Sequence, residues 1–171
     1  SSDVCSSDLM HIMQADVEAR NAYEADLREA VRSGQLALHY QPQINARDGS
    51  LVGVEALVRW THPTLGTVSP AEFIPVAEDS GMILPIGEWV IRTGLDELAR
   101  WPENLSLAVN LSPVQIRSDN LVPLVVQALA ATGVDPGRFE LEITESVLLH
   151  DSDENVATLH KLKSLGVRIA L

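Results

Sequence analysis

The sequence predicts an α/β protein, a mainly parallel sheet with covering helices. Three observations carry that reading. After an opening hairpin-like pair of strands the order is strand, helices, strand, helix, strand, helix, strand. The composition, 46 % hydrophobic and 21 % charged, is that of a globular chain able to fill a core. Polar residues suited to chemistry fall where strands are expected to end, the edge at which parallel α/β sheets bind ligands.

In chain order, Ser1 to Leu9 (SSDVCSSDL) is a polar, low-complexity run with no helical or strand period. It resembles the in-frame translation of a sequencing-library adapter, and the alternative is a flexible polar tail. On the adapter reading Cys5, the only cysteine, does not belong to the protein, and without Asp3 and Asp8 the net charge moves from −12 to −10. From Met10 to Ser33 the pattern is helical and Gly34 is its stop. Apart from Leu27 and Val31 the apolar stripe is thin, so this helix reads as a solvated linker or a coiled-coil partner.

Leu36 to Gln41 (LALHYQ) reads as a strand. A turn rich in Asn45, Asp48 and Gly49 leads to a second strand, Leu51 to Leu57. Ser69-Pro70-Ala71-Glu72 is a capping box opening a helix to about Glu78. Pro85 to Trp101 is a longer helix. Leu105 to Leu111 is a strand, Asp119 to Thr132 a helix ended by Gly133, and Phe139 to Thr144 a strand. Ser152 to Leu165 is a helix and Val167 to Leu171 another strand. This last apolar strand has no turn or polar terminus after it, so the sequence is expected to be cut there. The expected organisation is 1–9 adapter-derived, 10–33 linker helix, and 34–171 the folded domain.

The 171 residues count Lys and Arg 12 against Asp and Glu 24, which disfavours duplex nucleic acid as a partner. A small anionic ligand stays open, because bound divalent metals reverse a local field. The most apolar run, Leu121 to Ala131, is broken by Pro123 and Gln127 and is too short to span a membrane. The five histidines are scattered without HExxH spacing, and neither a GxSxG elbow nor a GxGxxG or GxxxxGK[ST] phosphate loop is present. His62 before Pro63 reads as a turn residue, and the three tryptophans as core.

At the expected strand ends stand Gln41, Glu55 with Arg59 four residues on, Asn110, and Glu142 with Glu145 just past it. Carboxylates and an amide oxygen are hard ligands suited to Mg²⁺ or Mn²⁺. Beside an arginine they suit metal-assisted hydrolysis of a phosphate ester. Each residue also has a plainer reading. Glu55 could pair locally with Arg59, Asn110 could start a turn, and Glu142 could face solvent.

These residues lie in strings that resemble a known family. Tyr40-Gln41-Pro42, Glu55-Ala56-Leu57-Val58-Arg59-Trp60 with His62-Pro63, Phe73-Ile74-Pro75 with Ala77-Glu78, Asn110-Leu111-Ser112 and Glu142-Ile143-Thr144-Glu145 resemble, in order, the EAL-type cyclic di-GMP phosphodiesterase domain. The resemblance covers about Leu27 to Leu171. It implies a modified (β/α)₈ TIM-like barrel, of which this chain is the first half, since such a barrel needs roughly 250 residues. It implies hydrolysis of cyclic di-GMP to linear pGpG in bacterial signalling. It implies Glu55, Asn110 and Glu142 as ligands of a two-metal Mg²⁺ or Mn²⁺ site. Glu55, Glu142 and Glu145 are the implied catalytic set, Glu145 supporting a loop and the metal site, and Gln41 and Arg59 contact substrate. The family's Asp-Asp motif, and its later lysine, glutamate and glutamine, would come after Leu171. The stretch before Gly34 resembles the connector that follows a GGDEF domain, so an upstream GGDEF or sensory domain is an expected partner. A homodimeric parent in the cytoplasm, or a cytoplasmic portion of a membrane-anchored one, is likewise implied.

Two other readings stand beside it: a degenerate EAL module that only binds cyclic di-GMP or a partner protein, and an unrelated (β/α)₈ enzyme. The 171-residue chain alone is expected to be inactive and poorly folded, because a half barrel leaves a strand edge and half a core open.

Overall fold

A computed structural model describes residues 2–144 and 153–171. Helix α1 (Ser2–Ser33) is followed by strands β1 (Leu36–Ile44), β2 (Leu51–His62) and β3 (Gly66–Val68), then helices α2 (Pro70–Ser80) and α3 (Ile83–Leu98). Strand β4 (Ser106–Asn110), the short helix α4 (Pro113–Ile116) and helix α5 (Leu121–Thr132) come next. A 3₁₀ turn (Pro136–Arg138), strand β5 (Phe139–Glu142), helix α6 (Asp153–Ser164) and strand β6 (Arg168–Ala170) complete the described chain. Among the described residues no helix is long and apolar enough to cross a membrane.

The strands form one open six-stranded sheet in the order β1-β2-β4-β5-β6, with β3 paired to β2. From β2 onward the path is parallel, each crossing carried by helices, as the alternation of segments predicts. β1 and β3 run antiparallel to β2. The β1–β2 turn is held by side chains: Asn45 Oδ1 accepts from the Arg47 N–H at 2.9 Å, and Asp48 Oδ1 from the Ser50 N–H at 3.0 Å. β2 runs five residues past the predicted Leu57, because the following turn is built by His62. Its Nδ1 accepts from the N–H groups of Thr64 and Leu65 at 3.2 and 3.1 Å, which brings β3 back onto β2.

One face of the sheet is apolar. Val54, Ala56, Trp60, Leu107, Val109, Phe139 and Leu141 alternate onto it and are buried under the helices. Trp60 is fully buried, edge-on to Tyr23 and Phe73, and its Nε1–H donates to Gln35 Oε1 at 3.1 Å. α3 lies close on β4, where a Cβ at Gly94 would stand 2.8 Å from Leu107 Cδ2. The guanidinium of Arg138 ties the end of α3 to β5, donating to the carbonyls of Leu98, Trp101, Pro102 and Leu105 at 2.9–3.3 Å.

Two helices differ from the sequence reading. α1 begins at Ser2, through the polar run in which no period is visible; no proline or glycine interrupts it before Gly34. Its last turns are packed rather than solvated: Leu27 and Ala30 are fully buried, and Asp26 Oδ2 lies 3.2 Å from His62 Nε2. α4 was not expected, although Ser112-Pro113-Val114-Gln115 repeats the capping logic of Ser69-Pro70-Ala71-Glu72 with glutamine in place of glutamate.

Candidate active site

The opposite face of the sheet is polar. In register, Gln41 lies across from Glu55, Glu55 beside Ala108, Ala108 beside Glu140 and Glu140 beside Arg168. One pair further on, Asn110 lies beside Glu142 and Glu142 beside Ala170. Side chains of a strand alternate between faces, so Gln41, Gln43, Glu55, Arg59, Asn110 and Glu142 all belong to this face.

Two of the strand-end placements need correction. Gln41 does not close β1, which runs on to Ile44, and β1 is antiparallel, so its carboxyl end lies at the other edge. Glu55 is in the first half of β2, not near its end. The polar residues therefore share a face of the sheet rather than a common strand terminus. Asn110 and Glu142 do close β4 and β5.

The plainer readings of these residues do not hold. Glu55 and Arg59 point the same way along a strand but are about 13 Å apart at four rises of about 3.3 Å. Arg59 Nη1 instead donates to the Val58 carbonyl at 3.0 Å, and Arg59 makes no ion pair among the described residues. Glu55 Oε1 accepts from Asn110 Nδ2 at 2.6 Å, so Asn110 acts across the sheet and not within its own turn. Glu142 is half-buried. Burial pushes its carboxyl above the ordinary glutamate range, and the charges of Glu55 and Glu140 push it the same way.

Several neighbours escaped the sequence reading. Gln43 Nε2 lies 3.5 Å from Glu142 Oε1, at the limit of a hydrogen bond; its spacing of two from Gln41 on β1 was the available signal. Below the site Arg168 Nη2 lies 3.0 Å from Glu140 Oε2 and 3.2 Å from Ser106 Oγ. No local signal predicts that ion pair, because the partners lie on different strands.

Beside this face opens a cleft of about 460 Å³ between the ends of β2 and β4 and helices α2 and α3. Arg59, Glu78, Asn110 and Glu142 line it together with apolar Ile74, Ile83, Ile86 and Val90. Ser112 sits on its wall. The Ser112 hydroxyl donates to Glu78 Oε1 at 2.7 Å and accepts from the Val114 N–H at 3.2 Å. The Ser112 N–H donates to Oε1 of Gln115, whose side chain is buried against Gly87 so closely that a Cβ there would overlap its Nε2.

Two carboxylates and an amide oxygen form a hard donor set, and the mutual repulsion around Glu142 is the kind a cation relieves. Among the described residues no group of three or more His, Cys, Asp or Glu side chains gathers as a metal cluster. Glu145 lies outside the described residues.

The EAL domain profile matches residues 24–171. The chain belongs to the EAL domain family. The match begins within the packed turns of α1, ahead of Gly34. The chain is 48 % identical over 159 residues to Uncharacterized protein y4lL of Sinorhizobium fredii, covering 93 % of this chain and 19 % of that protein. It is 38 % identical over 163 residues to the bifunctional diguanylate cyclase/cyclic di-GMP phosphodiesterase MucR of Pseudomonas aeruginosa, covering 93 % of this chain and 24 % of MucR. The EAL chain thus spans about a fifth of the curated relatives' length. The solved structure of the MucR phosphodiesterase in complex with c-di-GMP superposes with a TM-score of 0.83 at 39 % identity, covering 86 % of this chain and 62 % of that one. The family carries the partial-barrel reading of the open, mostly parallel sheet.

Proposed function

We propose that the protein carrying this domain hydrolyses one phosphodiester bond of cyclic di-GMP to linear pGpG in a divalent-metal-dependent reaction. One observation carries the reading: Glu55, Asn110 and Glu142 converge on one polar face beside Arg59, a cation with no acidic partner among the described residues. The likeness to MucR supports the substrate class.

Glu55, Asn110 and Glu142 would hold Mg²⁺ or Mn²⁺. When bound, the metal lowers the pKa of water and screens phosphate charge. Arg59 holds a phosphate oxygen, with a fork of donors that no protein carboxylate occupies. Gln41, across from Glu55, contacts the same substrate. Ile74, Ile83, Ile86 and Val90 give the cleft an apolar wall that accepts a base and excludes water. Glu145, with Glu55 and Glu142, completes the catalytic carboxylates of this half and supports the metal site. Residues 10–33, whose last turns pack on the domain, lead to an upstream GGDEF or sensory module, and residues 1–9 are adapter-derived.

The test is to incubate the full-length protein with cyclic di-GMP and Mg²⁺ or Mn²⁺ and follow pGpG by chromatography. Turnover is expected, with a loss of at least about 100-fold in Glu55→Gln or Asn110→Ala, as for groups that position a reacting centre. Tight binding without turnover overturns the enzyme reading in favour of a cyclic di-GMP receptor.

A further inference from the structure

Glu78 is a carboxylate in an unfavourable place. It lies in the last turn of α2, the negative end of the helix, where no basic residue accompanies it. It is half-buried on the cleft wall and makes no ion pair among the described residues. Its one hydrogen bond comes from Ser112, whose oxygen is occupied by the Val114 N–H, so the single hydroxyl proton is committed to Glu78 Oε1. Ser112 is in turn fixed by Gln115, only 5 % exposed and wedged against Gly87. A chain of buried contacts thus holds one oxygen of Glu78. The other has no partner among the described residues, in the same cleft as Arg59.

Stability does not explain a fixed, unpaired carboxylate at a helix's negative end. A ligand that brings paired N–H donors does. The guanine edge presents N1–H and N2–H side by side, whereas adenine presents an acceptor at N1. We infer that Glu78 is a specificity-determining residue that accepts hydrogen bonds from a guanine edge, with Ser112 as its positioning residue. This rests on the cyclic di-GMP reading of the site. Arg59 takes the phosphate and the apolar wall takes the face of the base, so the three contacts divide one nucleotide between them.

The test compares cyclic di-GMP with cyclic di-AMP, in binding and turnover, on full-length protein. The wild type prefers the guanine ligand. Glu78→Gln, which keeps the shape and the Ser112 contact, raises KM for cyclic di-GMP at least tenfold, lowers kcat by less, and shrinks the preference by the same tenfold or more. Ser112→Ala moves both quantities in the same direction by less, with thermal melts separating this from unfolding. A preference that Glu78→Gln leaves intact overturns the inference while the wild type's turnover still stands. So does an equal weakening of both ligands, which marks a sugar contact or a structural role. A wild type that neither binds nor cleaves cyclic di-GMP overturns both the parent reading and this one.

Discussion

Replacing Gly87 by alanine sets two effects of opposite sign against each other. In the interior of α3, alanine is favoured over glycine by about 1 kcal/mol. The new Cβ, however, would overlap Gln115 Nε2. Gln115 is buried and its Oε1 holds the Ser112 N–H at 3.0 Å, so moving it away breaks a buried hydrogen bond and opens the α4 capping box. Leaving that N–H unpaired costs about 1–3 kcal/mol, and crowding a packed site costs about as much again. The net loss for Gly87→Ala is about 3 kcal/mol. In a domain of this size that is a fall in Tm of roughly 6–12 °C. The same argument fixes a sign reversal. Gln115→Ala removes the obstacle, so adding Gly87→Ala to that background stabilises by about 1 kcal/mol. Thermal and urea melts of the four proteins in this double-mutant cycle give the coupling. Additive effects, or a single Gly87→Ala variant more stable than wild type, would refute the reasoning.

Three further outcomes follow from the same contacts. Arg138→Met strips up to four carbonyl partners from the end of α3 and should cost about 2–3 kcal/mol in urea melts, with Arg138→Lys recovering less than half because an ammonium lacks the guanidinium fork. The Glu142 carboxyl is raised by burial and then by Glu55 and Glu140, so the stability it contributes is full below the ordinary glutamate range and is lost as pH rises through its folded value. Glu142→Gln should therefore raise Tm at neutral pH in the presence of chelator, have little effect at pH 4, and abolish turnover; a lower Tm at neutral pH would contradict the assignment. The 171-residue chain, with one edge of β6 unpaired among the described residues, should associate in sedimentation experiments.

What was legible in the sequence follows from the range of each signal. Apolar alternation and the Ser69 capping box are local, and they located β4, β5, α2 and the parallel order. One reversal was less visible. The extension of β2 to β3 depends on the His62 side chain accepting two N–H groups, which no periodicity reports. The expectation of a common strand end grouped these residues by partly the wrong geometry. Glu55 and Gln41 share a face with Asn110 and Glu142, although neither ends its strand. Arg59 was correctly separated from Glu55 only once β2 proved long enough to hold both on one straight strand. Ser112, Glu78 and Gln115 lie inside or beside motifs that the sequence displays, yet their joining is a tertiary event across α2, α4 and α3.

The central claim is that Glu55, Asn110 and Glu142 act as one cation-holding set for cyclic di-GMP cleavage. Its most direct test is the Mn²⁺ concentration dependence of pGpG formation by full-length wild type and by Asn110→Ala. The account predicts no turnover in chelator, saturable activation of the wild type, and an activation midpoint at least tenfold higher in Asn110→Ala, as loss of a metal-site group commonly brings. Identical midpoints, or turnover that persists in chelator, would contradict it.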